Sequence, residues 1–282
     1  MLNDQTKDVE EANIRYHTTL AKEYDRTQPH FKPENQKQVE TILKELSERT
    51  GGKSLLDLGC GTGFILFLAH PYFQELHGVD ITPAMMEQAN LKFKQANIKN
   101  VKLCQASTDS LPFSDFYFDV ITGYSFLHHL PILLPTLSES YRVLRKGGVF
   151  FSDLDPNFYF WDAIKKVAKE KDVSDLLKID INSICNMLQE VQALSQDLDV
   201  DTIRKAEYIE GYEGGFKEET IKQMFFKAGF REVNLEYHWF WQEGRVIADL
   251  SVDSARYLER HLQLALPLTK NLFKYIRILA IK

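Results

Sequence analysis

Residues 55–63 read Leu55-Leu56-Asp57-Leu58-Gly59-Cys60-Gly61-Thr62-Gly63. A short apolar run ends in a turn with glycine at every second position, and a helical stretch from Phe64 to His70 follows before Pro71 stops it. Glycine allows a sharp turn and lets backbone approach a ligand closely. In a parallel sheet such a turn lies at the carboxyl edge, where these folds bind ligands. A second feature gives the loop meaning. Asp80, 23 residues after Asp57, closes the next apolar run, His77-Gly78-Val79-Asp80. A carboxylate at the end of a second strand can accept both hydroxyls of a ribose.

Glycine spacing separates two ligand classes. A dinucleotide fingerprint, G-x-G-x-x-G, needs glycine or alanine at position 64, and this chain has Phe64. The third glycine is Gly63, one residue early, so a pyrophosphate is disfavoured. A nicotinamide-dependent oxidoreductase is therefore the alternative reading, and a non-catalytic cofactor-binding module is another.

Outward from the loop, strand and helix signals alternate. Upstream, Val39, Ile42, Leu43 and Leu46 make one helical face over residues 36–48, stopped by Gly51-Gly52. Downstream, Thr82-Pro83 opens a helix to Gln95. Strands are predicted at Val101–Cys104, Phe118–Thr122 and Val149–Asp153, with a helix over Pro131–Arg145 carrying Leu134, Leu137, Tyr141 and Leu144 on one face. The pattern predicts an α/β fold with a doubly wound, mostly parallel sheet of seven strands. After Asp155 the rhythm breaks for about sixty residues before a helix at Glu218–Ala228, a strand at Arg231–Phe240, a helix over 248–266 and a last strand at Tyr275–Ile281. The division is an N-terminal cap helix in 1–35, a core in 36–155 and 216–282, and an α-helical lid insertion in 156–215. Val173, Leu177, Ile181, Ile184, Leu188 and Val191 give that insertion an apolar stripe.

Composition narrows the classes. Of 282 residues, 44% are hydrophobic and 26% charged, as in an ordinary globular protein. The net charge of −6 argues against a broad grip on nucleic acid. Cys60, Cys104 and Cys185 give neither a disulfide framework nor a metal-ligand pattern, so no metal is expected and a reducing cytoplasm suits them. The polar, acidic start is no signal peptide. Residues 245–282 carry a net +4 amid many leucines, which leaves a membrane-facing surface open beside an ordinary solvated face.

Four stretches, LLDLGCGTG, HGVDIT, LPFSDFYFDVITGYSFLHHL and RVLRKGGVFFSDLD, resemble the class I S-adenosylmethionine-dependent methyltransferases, and within them the small-molecule branch that includes the ubiquinone and menaquinone methyltransferases. The resemblance implies a Rossmann-like methyltransferase fold, S-adenosyl-L-methionine as cofactor, and methylation of a small-molecule acceptor. It implies that Asp57 orients the loop and the cofactor's amino group, that Gly59, Cys60 and Gly61 line the amino-acid portion, that Asp80 holds the ribose and that Ile81 meets the adenine. Ser107 stands where the family usually has an acid toward the adenine amino group, with Thr108 offering its backbone N–H. Tyr124 and Ser125 would sit by the methionine end, and Tyr16 and Tyr24 match a helix that closes over the cofactor.

Methyl transfer from a sulfonium is mainly a matter of alignment. A base is needed only for a protonated acceptor. His128 and His129 follow the fourth strand on the ligand edge, and either could take a proton; the other reading is that one caps the next helix and one packs. Asp153 and Asp155 end the fifth strand on the same edge and could bind an acceptor or shape the turn at Pro156. Aromatic residues flank the insertion, Phe158 to Trp161 at one end and Tyr208, Tyr212 and Phe216 at the other, and an apolar or aromatic acceptor pocket is expected there. The chain is expected to act as a monomer or homodimer.

Overall fold

The computed structural model describes residues 4–170, 178, 181 and 198–282. Seven strands form one sheet: β1 Ser54–Leu58, β2 Glu75–Asp80, β3 Val101–Gln105, β4 Phe118–Tyr124, β5 Leu144–Pro156, β6 Glu232–Phe240 and β7 Phe273–Ile281. Their order is β3-β2-β1-β4-β5-β7-β6. The first five are parallel, and β7 lies antiparallel between β5 and β6. The order reverses beside β1, so the loops after β1 and β4 splay apart and leave a crevice at the carboxyl edge.

Side chains alternate across this sheet with period two. Leu55, Val120, Val149 and Phe151 face one core, which α3 (Pro33–Thr50), α4 (Phe64–Ala69) and α5 (Pro83–Gln95) cover. Leu56, Leu58, Ile121 and Phe150 face the other, against α6 (Leu134–Val143) and α9 (Glu218–Ala228). Both faces are buried, which is why the inner strands read as continuous apolar runs.

Ahead of the core stand α1 (Asp4–Leu20) and the short α2 (Tyr24–Thr27). Within 156–215 the described elements are α7 (Phe158–Val167), α8 (Val200–Ala206) and a π-helical turn, Ile209–Glu213. A bridge between Asn157 and Phe216 closes the base of this excursion. Tyr16 and Leu20 of α1 pack on Leu198, Ile203 and Ala206, so α1 and the insertion form one cover. Of the expected apolar stripe only Ile181 falls on described residues, where it is buried with Phe160, Trp161 and Ile164; the rest lies outside them.

Three boundaries differ from expectation. Helix α6 is shorter than Pro131–Arg145. Leu144 is already strand, paired with Phe118, and the ladder shifts register before Val120 meets Val149. The Lys146-Gly147-Gly148 stretch is therefore an irregularity within β5, and the buried face of α6 is Thr136, Leu137, Ser140 and Val143. The helical stretch over 248–266 is two helices, α10 (Glu243–Asp249) and α11 (Val252–Leu264). The break falls at Ser251, whose hydroxyl caps α11 by accepting the Ser254 N–H at 3.0 Å. Strand β5 runs past Asp153 to Pro156 because β7 continues to pair with it.

Candidate functional site

The loop after β1 is shaped by its glycines. Gly59 has φ +59, and a Cβ there would lie 2.2 Å from the Phe126 ring; Gly63 has φ +80 and a Cβ would strike Phe93 at 2.4 Å. These two make room for packing. Gly61 has φ +51, and a Cβ there would meet the Met85 methyl at 3.3 Å and, at ordinary contact distance, the Gly59 carbonyl oxygen at 3.9 Å. Gly61 and Met85 both line a cavity at the carboxyl edge.

Asp80 organises that edge. Its Oδ2 accepts the Gly61 N–H at 2.8 Å and its Oδ1 accepts the Thr82 N–H at 2.7 Å. One carboxylate thus ties the loop after β1 to the loop after β2. Asp80 is itself on the cavity wall, and each oxygen keeps a further lone pair for a ligand.

The cavity's empty space, mouth included, is about 1020 Å³. Ten expected site residues line it: Tyr24, Gly59, Gly61, Asp80, Ile81, Ser107, Thr108, Tyr124, Ser125 and His129. Its roof is α1, in the stretch expected as a cap helix, through Thr6, Val9, Glu10, Asn13 and His17, none of which the sequence reading singled out. Their spacing of three and four residues is one helical face, a signal the sequence carried. Phe126, Leu130 and Ile132 add apolar wall, and no lysine or arginine lines it among the described residues. Its carboxylates are Glu10, Asp80 and Asp109. Burial, with Asp109 nearby, pushes the Glu10 carboxyl upward.

Five expected residues lie elsewhere. Asp57 is buried beneath the loop, where it accepts the Thr122 hydroxyl at 2.7 Å. Burial pushes its pKa up to about 8, against the pull of that hydrogen bond. Cys60 turns its side chain into the core with Phe64 and Leu66. Tyr16 is buried between α1 and α8, with its hydroxyl on Glu207.

His128 and Asp153 correct the expected chemistry. His128 bridges two carboxylates, with Nδ1 3.0 Å from Asp155 Oδ1 and Nε2 3.2 Å from Glu207 Oε2. Burial disfavours its charge, but the two acids outweigh burial and raise its pKa to about 10. It is a buried imidazolium holding the insertion to β5, with no nitrogen left for an acceptor. Asp153 is also enclosed. Arg277 donates Nε to its Oδ2 at 2.8 Å, and His238 Nε2 lies 2.5 Å from its Oδ1. Against burial, Arg277 and His238 hold its carboxyl down at about 2. An ion pair this well closed gives Asp153 no access to an acceptor.

His129 alone of the three faces the cavity. Its Nδ1 donates to the Ala206 carbonyl at 2.7 Å, which assigns the proton to Nδ1 and leaves Nε2 with a lone pair. Burial, reinforced by the positive His128 alongside, lowers its pKa to about 3, so the ring is neutral. Glu207, missed in the sequence because it sits in the insertion, lies within 4.8 Å of both histidines, a set of metal-ligand type. As it stands, Glu207 is the counter-ion of His128.

The expected aromatic acceptor pocket is also corrected. None of the insertion's flanking aromatics lines the cavity. Phe160 and Trp161 pack with Ile164 and Ile181, while Tyr212 is exposed, with Arg204 4.5 Å over its ring. The rings of the wall are Tyr24, Tyr124 and Phe126. Phe64, at the position a dinucleotide site gives to a small residue, fills an aromatic cluster with His30, Phe31 and Tyr124.

This strand order, with an acid on β2 bound to a glycine loop on β1, defines the class I S-adenosylmethionine-dependent methyltransferase fold. Residues 56–152 match the family model described as a methyltransferase domain. The uncharacterized methyltransferase YcgJ of Bacillus subtilis is 38% identical over 109 residues, covering 39% of this chain and 43% of that protein. Demethylmenaquinone methyltransferase of Lactococcus lactis is 30% identical over 202 residues, covering 70% of this chain and 72% of that one. The crystal structure of phosphoethanolamine N-methyltransferase 2 from Haemonchus contortus, in complex with phosphomonomethylethanolamine and S-adenosylhomocysteine, superposes with a TM-score of 0.58 at 16% identity, over all of this chain and 60% of that one. Among the first curated relatives the matched share of the relative runs from 24% to 72%. The chain belongs to the class I S-adenosylmethionine-dependent methyltransferases, and S-adenosylmethionine is the cofactor of that family.

Proposed function

We propose that the protein transfers a methyl group from S-adenosylmethionine to a small, uncharged and largely apolar or aromatic molecule. The observation that carries this reading is the composition of the cavity. Its walls combine Tyr24, Tyr124, Phe126, Leu130 and Ile132 with three carboxylates and no lysine or arginine among the described residues. A phosphorylated or carboxylated acceptor would enter against like charge with no cation to receive it. What the solved phosphoethanolamine methyltransferase binds is thus disfavoured for this chain.

The cavity fits the donor. Gly61 keeps clear a space that a side chain would enter, and Asp80 presents its carboxylate beside it. When bound, S-adenosylmethionine supplies a methyl already activated on a sulfonium. In this reading Asp80 receives the ribose hydroxyls, and Gly59, Gly61 and the Cys60 backbone border the amino-acid portion. Ile81, Ser107 and Thr108 border the adenine. Thr108 is steadied by its hydroxyl, 2.9 Å from that of Thr136. Tyr124 and Ser125 lie toward the methionine end. Asp57 and Tyr16 act from behind, the first through Thr122 and the second by seating α1.

His129 is the residue suited to orient the acceptor. Its Nε2 accepts a hydrogen bond from a hydroxyl or amine. With a pKa near 3 it does not keep a proton at neutral pH, so its part is to align the nucleophile through that hydrogen bond, and the proton of a hydroxyl or amine acceptor leaves to solvent. The insertion and α1 form the cover that excludes water, with residues 156–215 as a lid. The free thiols of Cys60 and Cys104 support a reducing cytoplasm as its compartment.

Incubation with methyl-labelled S-adenosylmethionine and a metabolite extract, followed by mass spectrometry, tests the reading. Label is expected in a neutral, apolar product. Label confined to phosphorylated products, or none in any product despite cofactor binding, contradicts it.

A further inference from the structure

Six of the thirteen large apolar side chains that are exposed among the described residues fall within residues 250–268. Leu250, Tyr257, Leu264 and Leu268 are 72%, 68%, 78% and 88% exposed, and Leu258 and Leu266 are exposed with them. Along α11, Tyr257, His261 and Leu264 follow helical spacing on one face, while Ala255, Glu259 and Leu262 turn inward. Ala255 is buried, Leu262 packs on the core and Glu259 accepts the Trp239 N–H at 3.2 Å. The outer face of α11 and the turn behind it thus present leucines that nothing among the described residues covers. A concentration of this kind marks an interaction surface.

We propose that this face rests on an anionic lipid surface. Charge complementarity selects that occupant. Arg256 and Arg260 flank the leucines one helical turn apart, make no ion pair among the described residues and outnumber Asp253, the exposed acid of this helix. Apolar residues beside unpaired arginines on an amphipathic helix are the chemistry of interfacial binding, with the leucines entering the acyl boundary and the arginines meeting acidic headgroups. A second copy of this chain fits less well. A two-fold contact would bring the same arginines of both copies into one patch. Among the described residues no helix is long and apolar enough to cross a membrane, so contact is at the surface.

The placement has a use. β6 runs parallel to β5, because each is antiparallel to β7. Its end at Phe240 therefore lies at the carboxyl edge, on the side of the sheet where the cavity opens, and α10 and α11 begin there. A bilayer on this face would lie at the same edge of the sheet as the site, three strands beyond β4, whose end at Tyr124 lines the cavity. This deepens the proposed reaction, since an apolar acceptor dissolves in lipid, but the binding is measured without donor or acceptor.

Sedimentation of the full chain with vesicles tests it, using phosphatidylcholine alone and phosphatidylcholine with about one third phosphatidylglycerol. The chain is expected to sediment with the anionic vesicles and to be released by salt. Leu264→Ser with Leu268→Ser should lower the partition coefficient tenfold or more. Arg256→Gln with Arg260→Gln should lower it severalfold on anionic vesicles and leave the residual binding to neutral ones unchanged. Unchanged calorimetric binding of S-adenosylhomocysteine certifies the fold of each variant. No sedimentation above the vesicle-free control, or full binding by both variants, overturns the proposal. So does a dimer in analytical ultracentrifugation that the leucine substitutions dissociate, which would give the face to a second copy. Failure here leaves methyl transfer standing, and absence of methyl transfer leaves vesicle binding standing.

Discussion

Asp80 Oδ2 lies 2.8 Å from the backbone nitrogen of Gly61 and accepts its hydrogen. The acid that closes β2 is thereby part of the loop that follows β1. In the proposed reading, replacing it acts twice, by removing the carboxylate that receives the ribose and by freeing the loop. Asp80→Ala is expected to weaken S-adenosylhomocysteine binding tenfold or more, since a hydrogen bond to a charged group contributes ~1.5–3 kcal/mol and ~1.4 kcal/mol is a decade in affinity. Calorimetry giving wild-type affinity would remove Asp80 from the ligand contact.

Gly61→Val places a branched side chain at φ +51 and into the cavity beside Met85. The backbone strain costs ~1–3 kcal/mol, which a core of this size tolerates. Binding of the cofactor product is expected to vanish while the far-ultraviolet circular dichroism keeps its native shape. Normal binding would mean that the loop does not meet the ligand.

His128 carries charge between the buried Asp155 and the partly buried Glu207. Its pKa, about 10 in the folded chain, lies above the ordinary ~6.5 of the unfolded chain. The stability it contributes is thus fully present below about pH 6.5 and is lost as pH rises through 10. His128→Gln is expected to destabilise by ~3–5 kcal/mol at neutral pH, because Asp155 and Glu207 lose their shared cation. Denaturant titration reads this directly; a loss under about 1 kcal/mol would show that the triad is not a structural tie.

Asp57 gives a second handle on the same edge, with the same sign and a lower pH window. Its folded pKa of about 8 exceeds the ordinary ~3.9, so the chain pays for ionising it in place. The contribution to stability is present below about pH 4 and lost as pH rises toward 8. Relative to wild type, Asp57→Asn should gain stability progressively over that window. Parallel melting curves for the two proteins from about pH 5 to 9 would contradict a buried, protonated Asp57.

The sequence was most legible where side-chain period and turn chemistry act locally. Strand β1 and helix α9 begin and end where the apolar run and Gly229 put them. It misled where tertiary pairing overrides local pattern. Leu144 continues the helical stripe of α6, yet it joins the sheet because Phe118 offers a ladder partner. The site divides in the same way. Gly61 and Asp80 were readable because a fixed spacing in one βαβ unit carries them. His128 and His129 are neighbours of one residue type, and nothing local told which would be enclosed. That was decided by Glu207 and Ala206, about eighty residues away in the chain. Asp153 reads in sequence as an edge residue, and its enclosure depends on Arg277 from the last strand.

In the proposed function the edge built by Gly61 and Asp80 holds S-adenosylmethionine and not a dinucleotide. Calorimetric titration of the intact protein with S-adenosylhomocysteine and, separately, with NADH tests it most directly. One molecule of S-adenosylhomocysteine bound per chain, weakened at least tenfold by Asp80→Ala, with no heat from NADH, is the expected result. Saturable NADH binding that depends on Asp80, with no heat from S-adenosylhomocysteine, would contradict the account.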